Sequence, residues 1–495
     1  MELSALSTQN PWWTNPDSIN VDDSIRNMDD CMVKWIPRLF HLIRESIDDE
    51  IIRTLRGPRQ VGKTTLVKLL IKHLIDSNIE GRRIFYWSCD IVEGPKDLVN
   101  LLDRYIETTR VIFQNRLYIF IDEISTVRDW QKGIKFLYDR GKLKNISILL
   151  TGSHSIDIKA ASERLPGRRG DVDAVYNRIL VPMKFPEYVE LRDEEIRRVL
   201  RKLNLLNFKN RSSIFFKLAK GDIPSEIKEM SLYIDKINRL FDEYLLTGGV
   251  IKPICDYLKN GRISDYIYHN YVNAVKGDII KWDKREHFIS QLIKSIIDKL
   301  STPVSWNSLK NDTDIGSPST VSEYVDILKS SFTLCPIYKV NRRRSGPNYS
   351  KEKKINFLDP FIFHALRSWV YQLSPFKGSL EYLGDIREKS KLIESVVCDH
   401  FIRFLYNLNP SDIFDPSLNL FYWKNRKEVD YVLRIKNDYI PVEVKYQNEI
   451  KGEDYQGIYS FYSADSEYKG ILMSKNTLCV FSFLTMLRLG FPPSP

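Results

Sequence analysis

Nine consecutive residues, Gly57-Pro58-Arg59-Gln60-Val61-Gly62-Lys63-Thr64-Thr65, have the spacing of a phosphate-binding loop: Gly, four residues, then Gly-Lys-Thr. The two glycines let the backbone fold tightly, so its N–H groups can surround β- and γ-phosphates. Lys63 adds a positive point charge, and the Thr64 hydroxyl is placed to ligate Mg²⁺. A second stretch answers the first. Leu117-Tyr118-Ile119-Phe120-Ile121 runs into Asp122-Glu123. Asp122 would hold Mg²⁺ through water, and Glu123 would polarise the attacking water. The adjacent acid marks a hydrolysing ATPase better than a kinase, so ATP and Mg²⁺ are the expected cofactors.

A different chemistry is suggested near the C-terminus. Asp430 lies on one predicted strand, and Glu443-Val444-Lys445 closes the next, where a period of two puts Glu443 and Lys445 on one face. Glu394 sits on the helix before them. Carboxylates and a lysine gathered across a helix and a hairpin can build a Mg²⁺-dependent nuclease site. Asp430 and Glu443 would ligate metal, Glu394 would support it, and Lys445 would orient the nucleophilic water. The same residues would also suit a surface hairpin with a cross-strand ion pair.

Two further groups suggest DNA contact. Ser317-Pro318 opens a helix with Ser319 and Thr320 in its first turn, a groove-reading position in a winged helix. Arg342-Arg343-Arg344 forms the turn that would be the wing on phosphate, and residues 342–354 hold six basic residues against one Glu. Winged helices also serve as protein-binding modules.

The elements that must position these groups follow from periodicity. Strands are expected at 51–56, 83–89, 117–122, 146–151 and 178–182 with helices between them, a parallel α/β sheet binding its ligand at the strand C-termini. The fourth strand ends in Thr151-Gly152-Ser153. Its hydroxyls would reach the γ-phosphate if this strand lies between the loop strand and Asp122. Ser153 is therefore a candidate sensor, although helix-capping hydroxyls would read the same way. Arg168, in the basic loop 163–170, is a candidate arginine finger to a second copy, although a solvated basic loop would read the same way. The expected divisions are an N-terminal arm at 1–34, a P-loop core at 35–185, a helical lid at 186–285, a winged helix at 286–358 and a C-terminal α/β domain at 359–495. Trp12-Trp13 would either pin the arm to a surface or leave it exposed.

Composition sets limits. A chain of 495 residues is too long for one core. A net charge of +10 favours an acidic partner, with nucleic acid first. Six scattered cysteines without a Cys-x-x-Cys pair argue against a zinc site or a disulfide framework and fit a reducing compartment. No stretch reaches 18 apolar residues, so a cytoplasmic protein without a membrane partner is expected.

Taken together, residues 35–480 resemble prokaryotic, often archaeal, AAA-type ATPases carrying a C-terminal domain similar to PD-(D/E)XK restriction-endonuclease-like nucleases. The resemblance rests first on Trp35-Ile36-Pro37-Arg38, the loop 57–64, Ile121-Asp122-Glu123, Leu150-Thr151-Gly152-Ser153, Leu165-Pro166-Gly167-Arg168 and Gly248-Gly249. It continues in Phe357-Leu358-Asp359-Pro360, Glu394, Glu428-Val429-Asp430 and Val442-Glu443-Val444-Lys445. It departs at Gln456-Gly457-Ile458-Tyr459, one residue short of the Gln-x-x-x-Tyr spacing of RecB-like nucleases. The resemblance implies ATP binding and admits two readings. One is an ATPase coupled to a DNA-binding, DNA-cleaving C-terminal half. The other is an ATP-driven switch or assembly protein whose C-terminal units bind proteins. Convergence of Glu394, Asp430, Glu443 and Lys445 on an open pocket favours the first; burial in ion pairs favours the second.

Overall fold

The computed structural model describes residues 3–153, 176–281, 284–411, 414–447, 450–461 and 468–475. The chain divides into two compact units, Met1–Val181 and Pro182–Pro495. Arg168 and the basic loop 163–170 lie outside the described residues.

The first unit is built on a parallel sheet. Its strands are β1 (Ile52–Arg56), β2 (Ile84–Ser88), β3 (Leu117–Asp122), β4 (Ile146–Gly152) and β5 (Asn177–Ile179), in the order β2-β3-β4-β1-β5. Near-continuous apolar runs form these strands because both faces are covered. Phe85, Trp87, Ile119, Ile121, Ile148 and Leu150 pack on one side with helices α2 (Pro95–Arg110) and α3 (Trp130–Asp139). Ile84, Tyr86, Tyr118, Phe120, Leu149 and Leu55 pack on the other with α1 (Lys63–Asp76). The alternation is the period of two written into the sequence.

The N-terminal arm covers the exposed edge of β2. The Asn10 amide donates to Tyr86 O at 2.9 Å and accepts from Tyr86 N at 2.7 Å. Ser88 N donates to Gln9 Oε1 at 2.8 Å, and both Trp12 Nε1 and Trp13 Nε1 donate to Ile84 O at 3.1 and 2.8 Å. Side chains thus satisfy backbone groups that an edge strand would otherwise offer to another chain. Of the two expectations for the tryptophans, the pinned arm is the one observed. Cys89 is a buried thiol; Cys31 is disulfide-bonded, contrary to the reading of the cysteines, because spacing along a chain does not report pairing.

The second unit begins with helices and ends in a mixed six-stranded sheet. Helices α4 (Phe185–Arg192), α5 (Ile234–Thr247), α6 (Glu286–Asp298), α7 (Trp306–Asn311) and α8 (Pro318–Ser330) precede the hairpin β6 (Leu334–Asn341) and β7 (Gly346–Phe357). Then come α9 (Pro360–Val370), α10 (Ile386–Leu408), β8 (Leu420–Lys424), β9 (Glu428–Ile435), β10 (Asp438–Lys445) and β11 (Ile471–Ser474). β6 pairs with β7 antiparallel and with β8 in parallel. The expected division at residue 358 therefore runs through one sheet: the hairpin taken as a wing supplies two of its six strands. Periodicity shows a hairpin but not which distant strand it joins. Cys335 and Cys398 are buried thiols, and Cys255 is disulfide-bonded. No described helix is long and apolar enough to cross a membrane.

Buried polar side chains fix the first residues of this unit. Arg403 Nη1 donates to Pro182 O at 2.6 Å, and Phe185 N donates to His400 Nε2 at 3.2 Å. The other ring nitrogen of His400 is 2.8 Å from Val396 O. One nitrogen accepts and the other donates, which requires a neutral ring. Burial, with the nearby Arg403 charge, pushes its pKa down to about 3.

Candidate functional site

The phosphate-binding loop runs from the end of β1 to the start of α1. Gln60 (φ +61°) and Gly62 (φ +102°) take left-handed conformations that curl the loop back on itself. Gly57 admits no side chain, since a Cβ there would lie 2.0 Å from Leu180 O. Lys63 is buried, and its Nζ donates to Gly57 O and Pro58 O at 3.1 and 3.0 Å.

β4 lies between β1 and β3, the arrangement on which the hydroxyl reading depended. Asp122 is 3 % exposed and surrounded by hydroxyls. Thr64 Oγ1 donates to its Oδ2 at 2.6 Å, Tyr86 OH donates to the same oxygen at 3.1 Å, and Thr151 Oγ1 donates to Oδ1. Thr151 Oγ1 also accepts from Glu123 N at 3.1 Å. Glu123 itself sits at φ +51°, a left-handed conformation uncommon for a glutamate, and its Oε1 is 3.9 Å from Lys63 Nζ. Thr151 thus orients both acids, while Ser153 lies buried at the end of the same strand.

Tyr86 escaped the sequence reading because a tyrosine inside an apolar strand reads as core. Burial, then the Asp122 charge, raises its pKa, so it stays a donor to that carboxylate. The donor set fits a Mg²⁺–triphosphate. A hydroxyl and a carboxylate already within hydrogen-bonding distance are the hard oxygen ligands Mg²⁺ takes, and a buried ammonium faces the loop.

In the second unit, Glu394 of α10, Asp430 of β9, and Glu443 and Lys445 of β10 come together, but around a residue the sequence reading had placed elsewhere. Lys354 of β7, its side chain 2 % exposed, has its Nζ 2.9 Å from Asp430 Oδ1, 2.7 Å from Glu428 Oε1 and 3.7 Å from Glu394 Oε2. Lys445 Nζ is 2.6 Å from Glu443 Oε1, as the shared strand face requires. Val444 N donates to Asp430 Oδ2 at 3.0 Å, and Asp430 N donates to Glu443 Oε2 at 3.3 Å.

The charges are strongly linked. Burial, then the Asp430 charge, pushes Glu394 and Glu443 each up to about 8. Burial opposes ionisation of Asp430 too, but Lys354, Lys445 and the Val444 N–H outweigh it and hold its pKa low. Burial likewise disfavours the Lys354 ammonium, and Asp430, Glu394 and Glu428 more than restore it. Among the described residues, no group of three or more His, Cys, Asp or Glu is arranged to hold a metal ion.

The expected DNA-contacting residues are spread over two elements. Ser317 caps α8, accepting from Thr320 N at 3.1 Å, and its Oγ lies 2.7 Å from Ser319 Oγ and 2.9 Å from Thr320 Oγ1. The exposed positions of α8 are Ser319, Glu323 and Asp326, and Glu323 pairs with Lys284 at 2.9 Å. An outward face with two carboxylates and no base is poorly suited to a DNA groove. Arg342 Nη1 donates to Phe461 O at 3.0 Å, and its guanidinium lies 4.8 Å from the centre of that ring. Arg343 and Arg344 are exposed. Lys353 and Lys354 are buried, which removes them from the basic patch read between 342 and 354.

Comparison with known proteins bears on the first unit most directly. Residues 49–189 match the family described as AAA domain. Residues 238–373 and 389–481 match two domains of unknown function, DUF8612 and DUF4143. An uncharacterised protein of Methanocaldococcus jannaschii is 25% identical over 341 residues, 66% of either chain. One from Haemophilus influenzae is 20% identical over 413 residues, 81% of this chain and 84% of that one. Among solved structures, a Walker-type ATPase of Pyrococcus abyssi aligns over 68% of this chain and 96% of its own, at 15% identity and a TM-score of 0.41. The Aeropyrum pernix ORC1 protein, solved in complex with DNA, aligns over 75% and 98%, at 13% identity and a TM-score of 0.30. At such values neither structure's activity bears on this chain. The family match and the geometry of the loop and of Asp122 agree: residues 49–189 carry an AAA-type ATPase domain.

Proposed function

We propose that the protein binds and hydrolyses ATP with Mg²⁺ and works as a nucleotide-driven switch or assembly protein, its C-terminal half binding partners rather than cutting DNA. The observation that carries the ATPase reading is the fixed placement of Asp122 and Glu123 against the loop, through Thr64, Thr151 and the Lys63–Glu123 approach of 3.9 Å. Thr64 and Asp122 would hold Mg²⁺, which when bound neutralises charge on the phosphate oxygens. Lys63, released from its loop carbonyls, would pair with the β- and γ-phosphates. Glu123 would orient the attacking water and take its proton. Arg168 remains the proposed finger to a second copy.

The C-terminal cluster favours binding over cleavage because its carboxylates are already paired, with the buried Lys354 and the half-buried Lys445. The test is direct. The full chain is assayed for phosphate release and for plasmid cleavage in Mg²⁺ and in Mn²⁺. Turnover without cleavage is expected. Cleavage that Asp430→Asn removes would replace the switch with a nuclease in which Asp430 and Glu443 bind metal, Glu394 supports it and Lys445 orients the water.

DNA binding without cleavage is a second reading, favoured by the exposed Arg343 and Arg344 and the +10 net charge. If each arginine contacts one phosphate, replacing both by Ala lowers the slope of log K against log salt by about two. An unchanged slope would move DNA contact away from this turn.

A further inference from the structure

Lys354 enters the carboxylate cluster as a cation supplied by the chain. Its ammonium is removed from solvent and meets oxygens of Asp430, Glu428 and Glu394, three carboxylates from β9 and α10, at 2.9, 2.7 and 3.7 Å. Glu443 is linked into the same group through Asp430 N at 3.3 Å and Lys445 at 2.6 Å. Four acidic side chains thus share two ammonium groups, one of them, Lys354, meeting three of the four. A lysine of ordinary surface pairing would extend to water; this one reaches inward from a strand otherwise apolar at Ile355 and Phe357.

We propose that Lys354 stands where a divalent cation would bind, that it excludes the metal from the native protein, and that its removal opens a Mg²⁺ or Mn²⁺ site formed by Glu394, Glu428 and Asp430. The physical basis is substitution of one positive centre by another. An ammonium and a small divalent ion both satisfy converging carboxylate oxygens, but the two cannot share one position without strong repulsion. Deleting the ammonium leaves excess negative charge in a buried space. A small divalent ion can take the vacated position, and carboxylate oxygens are the ligands it prefers. The inference rests on reading these carboxylates as one constellation. It is independent of the ATPase assignment, which concerns the other unit.

The experiment measures Mn²⁺ binding to the nucleotide-free full chain, followed by loss of the free-ion EPR signal. The parent, Lys354→Ala, Lys354→Gln, Asp430→Asn and the Lys354→Ala/Asp430→Asn pair are compared. Any weak binding at the phosphate loop is common to all five and cancels. Lys354→Ala should gain one Mn²⁺ per chain that the parent does not bind, with a Kd at least tenfold below the highest Mn²⁺ concentration at which the parent's cluster stays empty. The double variant should lose that gain. Lys354→Gln, of similar length and able to hydrogen-bond carboxylates, serves if the Ala variant does not fold, and it should show a smaller gain in the same direction. A variant that folds only when Mn²⁺ is present reports the same site. Two results overturn the proposal. One is a parent that binds Mn²⁺ in a manner Asp430→Asn abolishes, since metal and lysine would then coexist. The other is absence of any gain in a folded Lys354 variant. Phosphate release by the same samples keeps the outcome separate from the ATPase reading: a silent metal arm with normal turnover defeats this proposal alone.

Discussion

Glu123→Gln is expected to leave ATP bound and stop its hydrolysis, with turnover falling by roughly 10² to 10⁴, the usual contribution of a positioned general base. The glutamine keeps the side-chain volume and a carbonyl oxygen but cannot take a proton from water. Asp122 and Thr64 are untouched by the change, and the main-chain bond from Glu123 N to Thr151 at 3.1 Å does not involve the substituted group. Lys63→Ala is expected to fail one step earlier. Lys63 carries a buried ammonium in the loop, and a charge-assisted contact is worth about 1.5–3 kcal/mol, so two phosphate contacts correspond to a Kd at least ~100-fold weaker. Fluorescent-nucleotide titration and phosphate release separate the two phenotypes. Equal ATP affinity in Lys63→Ala and the parent would remove the phosphate-binding assignment. Undiminished turnover in Glu123→Gln would move the base to another residue.

The features that could be read from sequence are those written contiguously. The loop 57–65 and Asp122-Glu123 each occupy one short stretch at a strand end, so motif and strand reading together locate them. The place of β4 was legible only as a condition, because strand order depends on contacts between distant segments. The sheet order meets that condition. Thr151 and Ser153 could not be ranked by spacing. The structure distinguishes them, because Thr151 holds both acids.

Less was legible in the second unit. Asp430, Glu443 and Lys445 were found from strand alternation, and Glu394 from its helix. Lys354 was missed because it sits in a run of basic residues, where charge density suggests a solvated patch. One signal was available: Lys354 and Asn356 alternate with Ile355 and Phe357, so a period of two carries the lysine into a strand interior. What that lysine meets is settled only by tertiary pairing, as is the joining of β6 to β8. The structure brings Glu394, Asp430, Glu443 and Lys445 near one another, and Lys354, the second cation among them, is not legible from the sequence as their partner.

Gly248-Gly249 provides the largest stability effect. At Gly249 an added Cβ would lie 1.8 Å from Met183 O and 2.7 Å from Met183 C, with backbone rather than a movable side chain in the way. The same glycine accepts from Met183 N at 2.7 Å and donates to Asp359 Oδ2 at 2.8 Å. Asp359 also caps α9, accepting from Phe361 N at 2.8 Å and Ile362 N at 3.2 Å. Burial lifts its pKa to about 6, partly offset by these N–H groups. Gly249→Ala therefore cannot be relieved by a rotamer change. It must move the chain at Met183 and break backbone and capping bonds together, which places it among the large mechanisms, at about 3 kcal/mol or more. A unit of this size should melt at least roughly 4–5 °C lower. Gly261 is the control, since it has φ +68° with nothing within 4 Å of its added Cβ. Gly261→Ala carries only the strain of a left-handed alanine, about 1 kcal/mol. The expected order in thermal melts of the full chain is parent, then Gly261→Ala slightly lower, then Gly249→Ala far lower. If the two alanine variants melt together, close approach of backbone is not what the glycine at 249 serves, and the anchoring of Met183 to Gly249 does not govern the stability of this unit.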